Sequence, residues 1–177
     1  MNAGAYGKSV SDYIISAVCC DREGKIKTYT NEELLFGYRS SLVRMKDLIV
    51  LSAVFKLTER KSEEIKLTIK ELMEKRKNTQ PLKTLNAGCA FKNPQNFHAW
   101  ALIDEVGMRG ARINNAKISE KHANFFINMD NAKAKDMYKL MEITRKKVYK
   151  KFKIVLINEW VLLNFKKLLK PLRKNKL

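Results

Sequence analysis

The stretch "DLIVLSAVFKLTERKSEEIKLTIKELMEKRK", residues 47–77, decides the fold. Its first part, "DLIVLSAVFKL", is dense in β-branched residues and apolar on both faces in places, which predicts a strand. Its second part predicts a long helix. Thr58 or Ser62 can cap it, and Ile65, Leu67, Ile69, Leu72 and Met73 form an approximate helical face as far as about Lys77. A strand feeding a long helix calls for a mixed architecture, and the pattern extends in both directions. Upstream, "DYIISAVCCD" and "KIKTYT" flank the Gly-containing "REG", a β-hairpin signature. "TNEELLFGYRSS" opens on a Thr/Asn cap followed by acids and stops at Gly37. It reads as a helical turn or loop delivering Tyr38 and Arg39.

Downstream, "NTQPLKTL" is a connector, because Pro81 cannot continue the helix, and it marks the expected boundary between two parts of the chain. "NAGCAFKNP", residues 86–94, reads as a polar loop. "NFHAWALIDEVGMRG" predicts a short amphipathic helix ended by Gly107. "ARINNAKIS" and "ANFFINM" are strand candidates separated by "EKH". "DNAKAKDMYKLMEITRKKVYKKF" predicts a second long helix, capped by Asp130, with an apolar side of Met137, Leu140, Met141, Ile143 and Val148. "KIVLINEWVLLNF" reads as a final pair of strand-like stretches. Long helices between strands place the chain in the α/β or α+β class.

Composition narrows the function. A length of 177 residues with 45% hydrophobic content suits one domain or parts of two. No apolar run reaches the roughly 18–20 residues that cross a bilayer, and the start lacks a basic-then-apolar signal. Cys19, Cys20 and Cys89 are odd in number, and two of them are adjacent. They suit neither a disulfide framework nor a zinc site, and the reading is a reducing, cytoplasmic compartment with no metal. The net charge of +18 invites a nucleic-acid partner. The lysines are spread along the chain and interleaved with acids, as on solvated helix faces, which argues against nucleic acid as the main partner.

Four polar clusters and one carboxylate carry candidate chemistry. In "NAGAYG", Gly4 and Gly7 let backbone approach a ligand, although a plain turn reads the same way. In "GYRSS", Arg39 can clamp a carboxylate, or sit on the surface. In "AGCAFKNP", Cys89 can act as a thiol acid or nucleophile, or be an inert small hydrophobe. In "ISEKHANF", His122 can donate to a ligand or serve the structure. Glu159 lies within "VLINEWVLL", and a carboxylate among so many apolar residues needs a partner, a raised pKa or an exposed turn. Residue chemistry alone reaches no further than a site that handles a carboxylate.

"NAGAYG", "FGYRSS", "QPLKTLNAGCAFKNP", "GARINNAKISEKHANFFIN" and "KFKIVLINEWVLL" resemble, in this order, the UDP-N-acetylenolpyruvoylglucosamine reductase (MurB) flavoenzymes of peptidoglycan synthesis, in their shorter type. The resemblance runs to about Phe165. It implies the end of an FAD-binding domain over residues 1–80 and an α/β substrate-binding domain over 81–152. It further implies a strand over 153–165 returning to a preceding domain, with a basic tail at 166–177. It implies FAD and NADPH as cofactors and UDP-N-acetylglucosamine enolpyruvate as substrate. It implies that hydride passes by way of the flavin to the vinyl carbon distal to the carboxylate and that a proton reaches the adjacent carbon.

By the same resemblance Arg39 holds the substrate carboxylate, Glu159 assists it, and Cys89 stands where the family has its proton-donating serine. A thiol of ordinary pKa about 8.5 can donate a proton near neutrality. Tyr38, Gln80, Asn93, Arg109 and His122 match substrate-binding positions, with Arg109 at the pyrophosphate. Asn2, Gly4, Ala5, Tyr6 and Gly7 match the flavin edge. The family pattern begins before Met1, so the resemblance also implies a separate or preceding FAD-binding portion. It differs at Asn114-Asn115, where the family has a Gly pair, and at Asn158, where it has proline. A remnant without activity and a small basic nucleic-acid-binding protein are the alternatives.

Overall fold

The computed structural model describes residues 1–163. Its elements in chain order are β1 (Gly4–Ala5), β2 (Lys8–Ser9), β3 (Ile14–Cys20), β4 (Ile26–Thr30), α1 (Leu42–Met45), β5 (Ile49–Phe55), α2 (Ser62–Thr79), β6 (Leu85–Cys89), α3 (Ala99–Glu105), β7 (Arg112–Ile113), β8 (Ala116–Ile118), β9 (Phe125–Asn128) and α4 (Ala134–Phe152). The chain divides into two compact units, Met1–Ile65 and a second from Lys66 onward. Every strand pairing in both is antiparallel, so the mixed class expected from the sequence is of the α+β kind.

In the first unit β1 and β2 form a hairpin, and a second sheet has the order β4-β3-β5. β3 buries Ile14, Ala17 and Cys19, which pack with Leu34, while Cys20 next to Cys19 is only partly covered, as alternation along a strand requires. The expected "REG" hairpin joins β3 to β4, with the Asp21 carboxylate accepting from the Glu23 and Lys25 N–H groups in the turn. Residues 31–40 form turns, as expected, and Asn31 Nδ2 ties them back by donating to the Ser11 and Ile14 carbonyls.

The second unit is a four-stranded sheet of order β6-β9-β8-β7 with α4 against β7 and β8 and α3 packed on α4. Phe91, Phe126, Ile118, Leu140, Met141, Val148 and Leu156 fill one core. α3 ends at Gly107 (φ 66°) as anticipated, and α4 buries Leu140, Met141 and Val148 together with Tyr138 and Thr144.

α2 forms as expected, with Leu72 partly covered and none of its residues buried. Four expectations need correction. Asp130 does not cap α4; Lys133 stands at that position with no side-chain bond. "NAGC" is strand rather than loop, because β6 pairs with β9. "ARINNAKIS" is two strands, since left-handed Asn114 (φ 50°) turns the chain between β7 and β8. "KIVLINEW" makes one isolated bridge in place of a strand pair, and the basic run from Asn164 lies outside the described residues.

Candidate functional site

The second unit draws Cys89 and Glu159 together through its backbone. β6 runs from Asn86 opposite Ile127 to Cys89 opposite Phe125, three steps against two, so one extra residue bulges there. Gly88 adopts φ 77° in the bulge, and its N–H donates to Asn86 Oδ1. The space where a Cβ would stand is open, so backbone conformation, not crowding, calls for glycine. Beyond the bulge, buried Asn124 holds the chain. Its Oδ1 accepts from the Phe91 N–H at 3.0 Å, its Nδ2 donates to the Phe91 carbonyl at 2.8 Å, and its own carbonyl accepts from Ala90. An amide side chain here completes the sheet edge as a further strand would.

The segment after α4 then lies along residues 90–92. Arg145, in ion pair with Glu142 at 2.6 Å, donates through Nε to the Leu156 carbonyl and fixes its approach. Phe91 and Asn158 face each other in an antiparallel bridge, closed by Lys92 N–H to Ile157 O and Glu159 N–H to Ala90 O, both 2.9 Å. Glu159 therefore sits opposite Ala90, one residue from Cys89. Both site residues are partly buried. Among the described residues two buried polar atoms beside the bridge, Asn158 Oδ1 and Trp160 Nε1, find no hydrogen-bond partner.

Asn93 ties down the start of α3, where His98 is the N-cap, its Oδ1 accepting from the Ala99 N–H at 2.9 Å. His122 lies in a turn whose N–H groups at Lys121 and His122 donate to Ser119 Oγ, and its ring packs edge-on to Phe125 at 4.9 Å. Its Nδ1 accepts from the Asn124 N–H, which puts the ring proton on Nε2. Burial lowers its pKa below the ordinary histidine value, and the nearby Arg109 charge acts in the same direction. Arg109 itself forks Asp104 with two bonds of 2.7 Å and donates to the Glu120 carbonyl, holding the Asp104 carboxyl below its usual range. Gln80 lines a cavity of about 540 Å³ whose other walls include the charged side chains of Lys77, Lys83, Lys117, Glu120 and Lys121 and the apolar ones of Leu82, Ile127 and Met129.

In the first unit Arg39 ends a tight turn. Gly37 and Ser40 exchange both backbone bonds across Tyr38-Arg39, forcing Arg39 to φ 51°, a conformation that a non-glycine residue adopts at a cost. The guanidinium lies 5.2 Å from the Tyr38 ring. Asn2 Nδ2 donates to the Gly37 carbonyl, which brings the β1–β2 hairpin beside this turn. A Cβ on Gly4 would stand 3.1 Å from the Lys8 carbonyl and 3.8 Å from Arg39 Nη1. Asn2, Gly4, Ala5, Tyr6 and Gly7 are thus gathered with Tyr38 and Arg39, and Gly4 through Gly7 are exposed. Sequence reasoning missed Asn124 and Arg145. Asn124 follows a motif histidine, but nothing in its spacing announces a bidentate clamp on Phe91.

Residues 80–163 match the family model described as UDP-N-acetylenolpyruvoylglucosamine reductase, C-terminal domain. The chain belongs to this reductase family. Among relatives of that name, one from Rickettsia bellii (strain RML369-C) is 44% identical over 149 residues, which is 84% of this chain and 49% of the relative. Another, from Clostridium tetani, is 42% identical over 168 residues, 95% of this chain and 55% of the relative. The crystal structure of the MurB reductase from Thermus caldophilus superposes with a TM-score of 0.78 at 38% identity, covering 91% of this chain and 57% of that one. The chain spans about half the length of the curated relatives it matches. The matched C-terminal domain falls within the second unit. Among the described residues no helix is long and apolar enough to cross a membrane, and no three His, Cys, Asp or Glu side chains could hold a metal ion.

Proposed function

We propose that this chain binds UDP-N-acetylglucosamine enolpyruvate and supplies the substrate-handling residues for its reduction to UDP-N-acetylmuramate in cytoplasmic peptidoglycan synthesis. The observation that carries this reading is the bridge of Phe91 with Asn158, which sets Glu159 one residue from Cys89. Cys89 Sγ–H gives a proton to the carbon next to the substrate carboxylate, and Glu159 holds the enol form that precedes that transfer. Arg39 takes the carboxylate and the negative charge that builds on it, a task for which a guanidinium is suited. Its left-handed backbone is the kind of strain that functional positions retain. Asn93, already fixed on α3, and His122, with its remaining proton on Nε2, face the sugar as donors. The cavity that Gln80 lines offers the nucleotide both apolar and predominantly cationic walls. Arg109, whose fork is taken by Asp104, serves by holding the Ser119–His122 turn and adds its charge to the pyrophosphate end.

The family's FAD and NADPH supply the hydride. The Asn2–Gly7 hairpin fits one edge of a flavin, because it is exposed, glycine-bearing and tied to the Arg39 turn.

Calorimetric titration of the 177-residue chain tests this reading. Saturable 1:1 binding of the enolpyruvyl nucleotide, tighter than UDP alone and weakened by Glu159→Gln, is expected. Salt-sensitive binding of duplex DNA with no response to the nucleotide would overturn it.

A further inference from the structure

The two long helices differ in charge. α2 carries five cations and four acids, the interleaving expected of a solvated face. α4 carries seven cations and two acids. Both of those acids are engaged: Glu142 pairs with Arg145 at 2.6 Å, and the Asp136 carboxylate accepts from Asn114 Nδ2 at 3.2 Å. The lysines fall in a row. At about 3.6 residues per turn, Lys135, Lys139, Lys146 and Lys150 lie within roughly 60° of one another around the helix, over about 22 Å of its length. All four are exposed, and among the described residues none of them is in an ion pair. They occupy the side away from Leu140, Met141, Thr144 and Val148, which are buried. Lys147 and Lys151 widen the row at a hollow of about 450 Å³ beside Val106, where the one acid, Glu105, pairs with Lys151 at 3.1 Å.

We infer that this outer face of α4 docks the chain on an anionic lipid surface. Membrane surfaces facing the cytoplasm carry anionic lipid, and each lysine held near one strengthens binding roughly fivefold. Three features select a bilayer over a nucleic acid. The row is made of lysine alone: the Arg145 side chain is 12% exposed and turned to Glu142, so no guanidinium fork is offered to a base edge. The aromatic rings at this end of the helix, Tyr149 and Phe152, already lie under the Lys153 and Lys151 ammonium groups, at 5.9 Å and 5.2 Å, and are not presented for base stacking. A straight row on an outer helix face meets a plane along its whole length, and the long lysine stems let each ammonium reach that plane. The inference goes beyond substrate handling and is independent of the chemistry assigned to Cys89 and Glu159.

Co-sedimentation of the 177-residue chain with lipid vesicles provides the test. Binding is expected to vesicles of equal parts phosphatidylglycerol and phosphatidylcholine and not to pure phosphatidylcholine, with release as NaCl rises from about 0.05 M to about 0.5 M. Lys139→Gln, Lys146→Gln and Lys150→Gln combined should weaken binding at least about 20-fold. Lys61→Gln, Lys66→Gln and Lys70→Gln combined, which remove the same charge from exposed positions elsewhere, should weaken it less than about threefold. The basic run from Asn164 is common to both variants, and both should titrate the nucleotide as the parent chain does. Equal weakening by the two triple substitutions, an α4 variant that binds like the parent, or binding to pure phosphatidylcholine would each overturn the inference. Duplex DNA that strips the chain from the vesicles at equal phosphate concentration, with the same dependence on the α4 lysines, would assign the row to nucleic acid and overturn it as well. Failure of the parent chain to bind the nucleotide, with vesicle binding intact, would instead count against the proposed function alone.

Discussion

Replacing Asn124 by alanine probes the element on which the Cys89–Glu159 site depends. The wild-type side chain satisfies both the N–H and the carbonyl of Phe91, a residue 1% exposed, and is itself 2% exposed. Water cannot take over at that depth, so Asn124→Ala leaves two buried backbone groups unpaired, each costing about 1–3 kcal/mol. A total near 3 kcal/mol is expected, a large part of the roughly 5–15 kcal/mol that holds a domain together. Both tryptophans, Trp100 and Trp160, lie in the second unit, so their fluorescence during urea unfolding reports that unit alone. With a slope of about 1.5 kcal/mol per M, the midpoint falls by about 2 M. Asn124→Asp retains an acceptor for the Phe91 N–H but loses the donor to its carbonyl and buries a charge. It should be as damaging at neutral pH and recover as acid protonates the carboxyl. A midpoint within about 0.5 M of wild type for Asn124→Ala would refute the clamp as a source of stability.

The same assay reads three further expectations. Asn158→Pro should raise stability by about 1 kcal/mol, because the bridge bonds come from Lys92 and Glu159 and the substitution removes the unpaired Oδ1 while restricting the unfolded chain. Gly88→Ala should cost about 1–2 kcal/mol from its left-handed backbone alone, since no atom crowds the new methyl. His122, whose pKa burial lowers, binds more protons unfolded than folded, so its contribution to stability is present above the ordinary histidine pKa and is lost as pH falls through the lowered folded value. Unfolding midpoints at pH 7.5 and 5.5 should therefore converge in His122→Gln relative to wild type.

Much of the fold was legible because its signals were local. The β3–β4 hairpin is announced by "REG" between β-branched runs, and both long helices by apolar spacing and length. The misreadings fell where a distant partner decides the outcome. Leu85–Cys89 looks like loop from its Asn, Gly and Cys, but β9 supplies the ladder that makes it a strand. "KIVLINEW" has strand composition, yet among the described residues it finds only residues 90–92 to pair with. Asn114 shows that a left-handed turn survives without glycine, because its short amide tolerates φ 50°. The importance of Asn124 was invisible because its partners are backbone atoms 33 residues away, and no pattern of side chains encodes them.

The central claim is that Cys89 gives the proton in substrate reduction, and half-reaction kinetics test it most directly. The measurement uses the chain complemented with the other half of the reductase. NADPH-driven flavin reduction is followed at its visible absorbance, and conversion of the enolpyruvyl nucleotide is followed separately. Cys89→Ala should leave the first rate unchanged and lower the second by at least about 100-fold, the scale of a lost general acid. Cys89→Ser should retain turnover, since a hydroxyl can donate from the same place. Substrate reduction by Cys89→Ala at the parental rate would contradict the assignment and return Cys89 to the role of a small, partly buried hydrophobe.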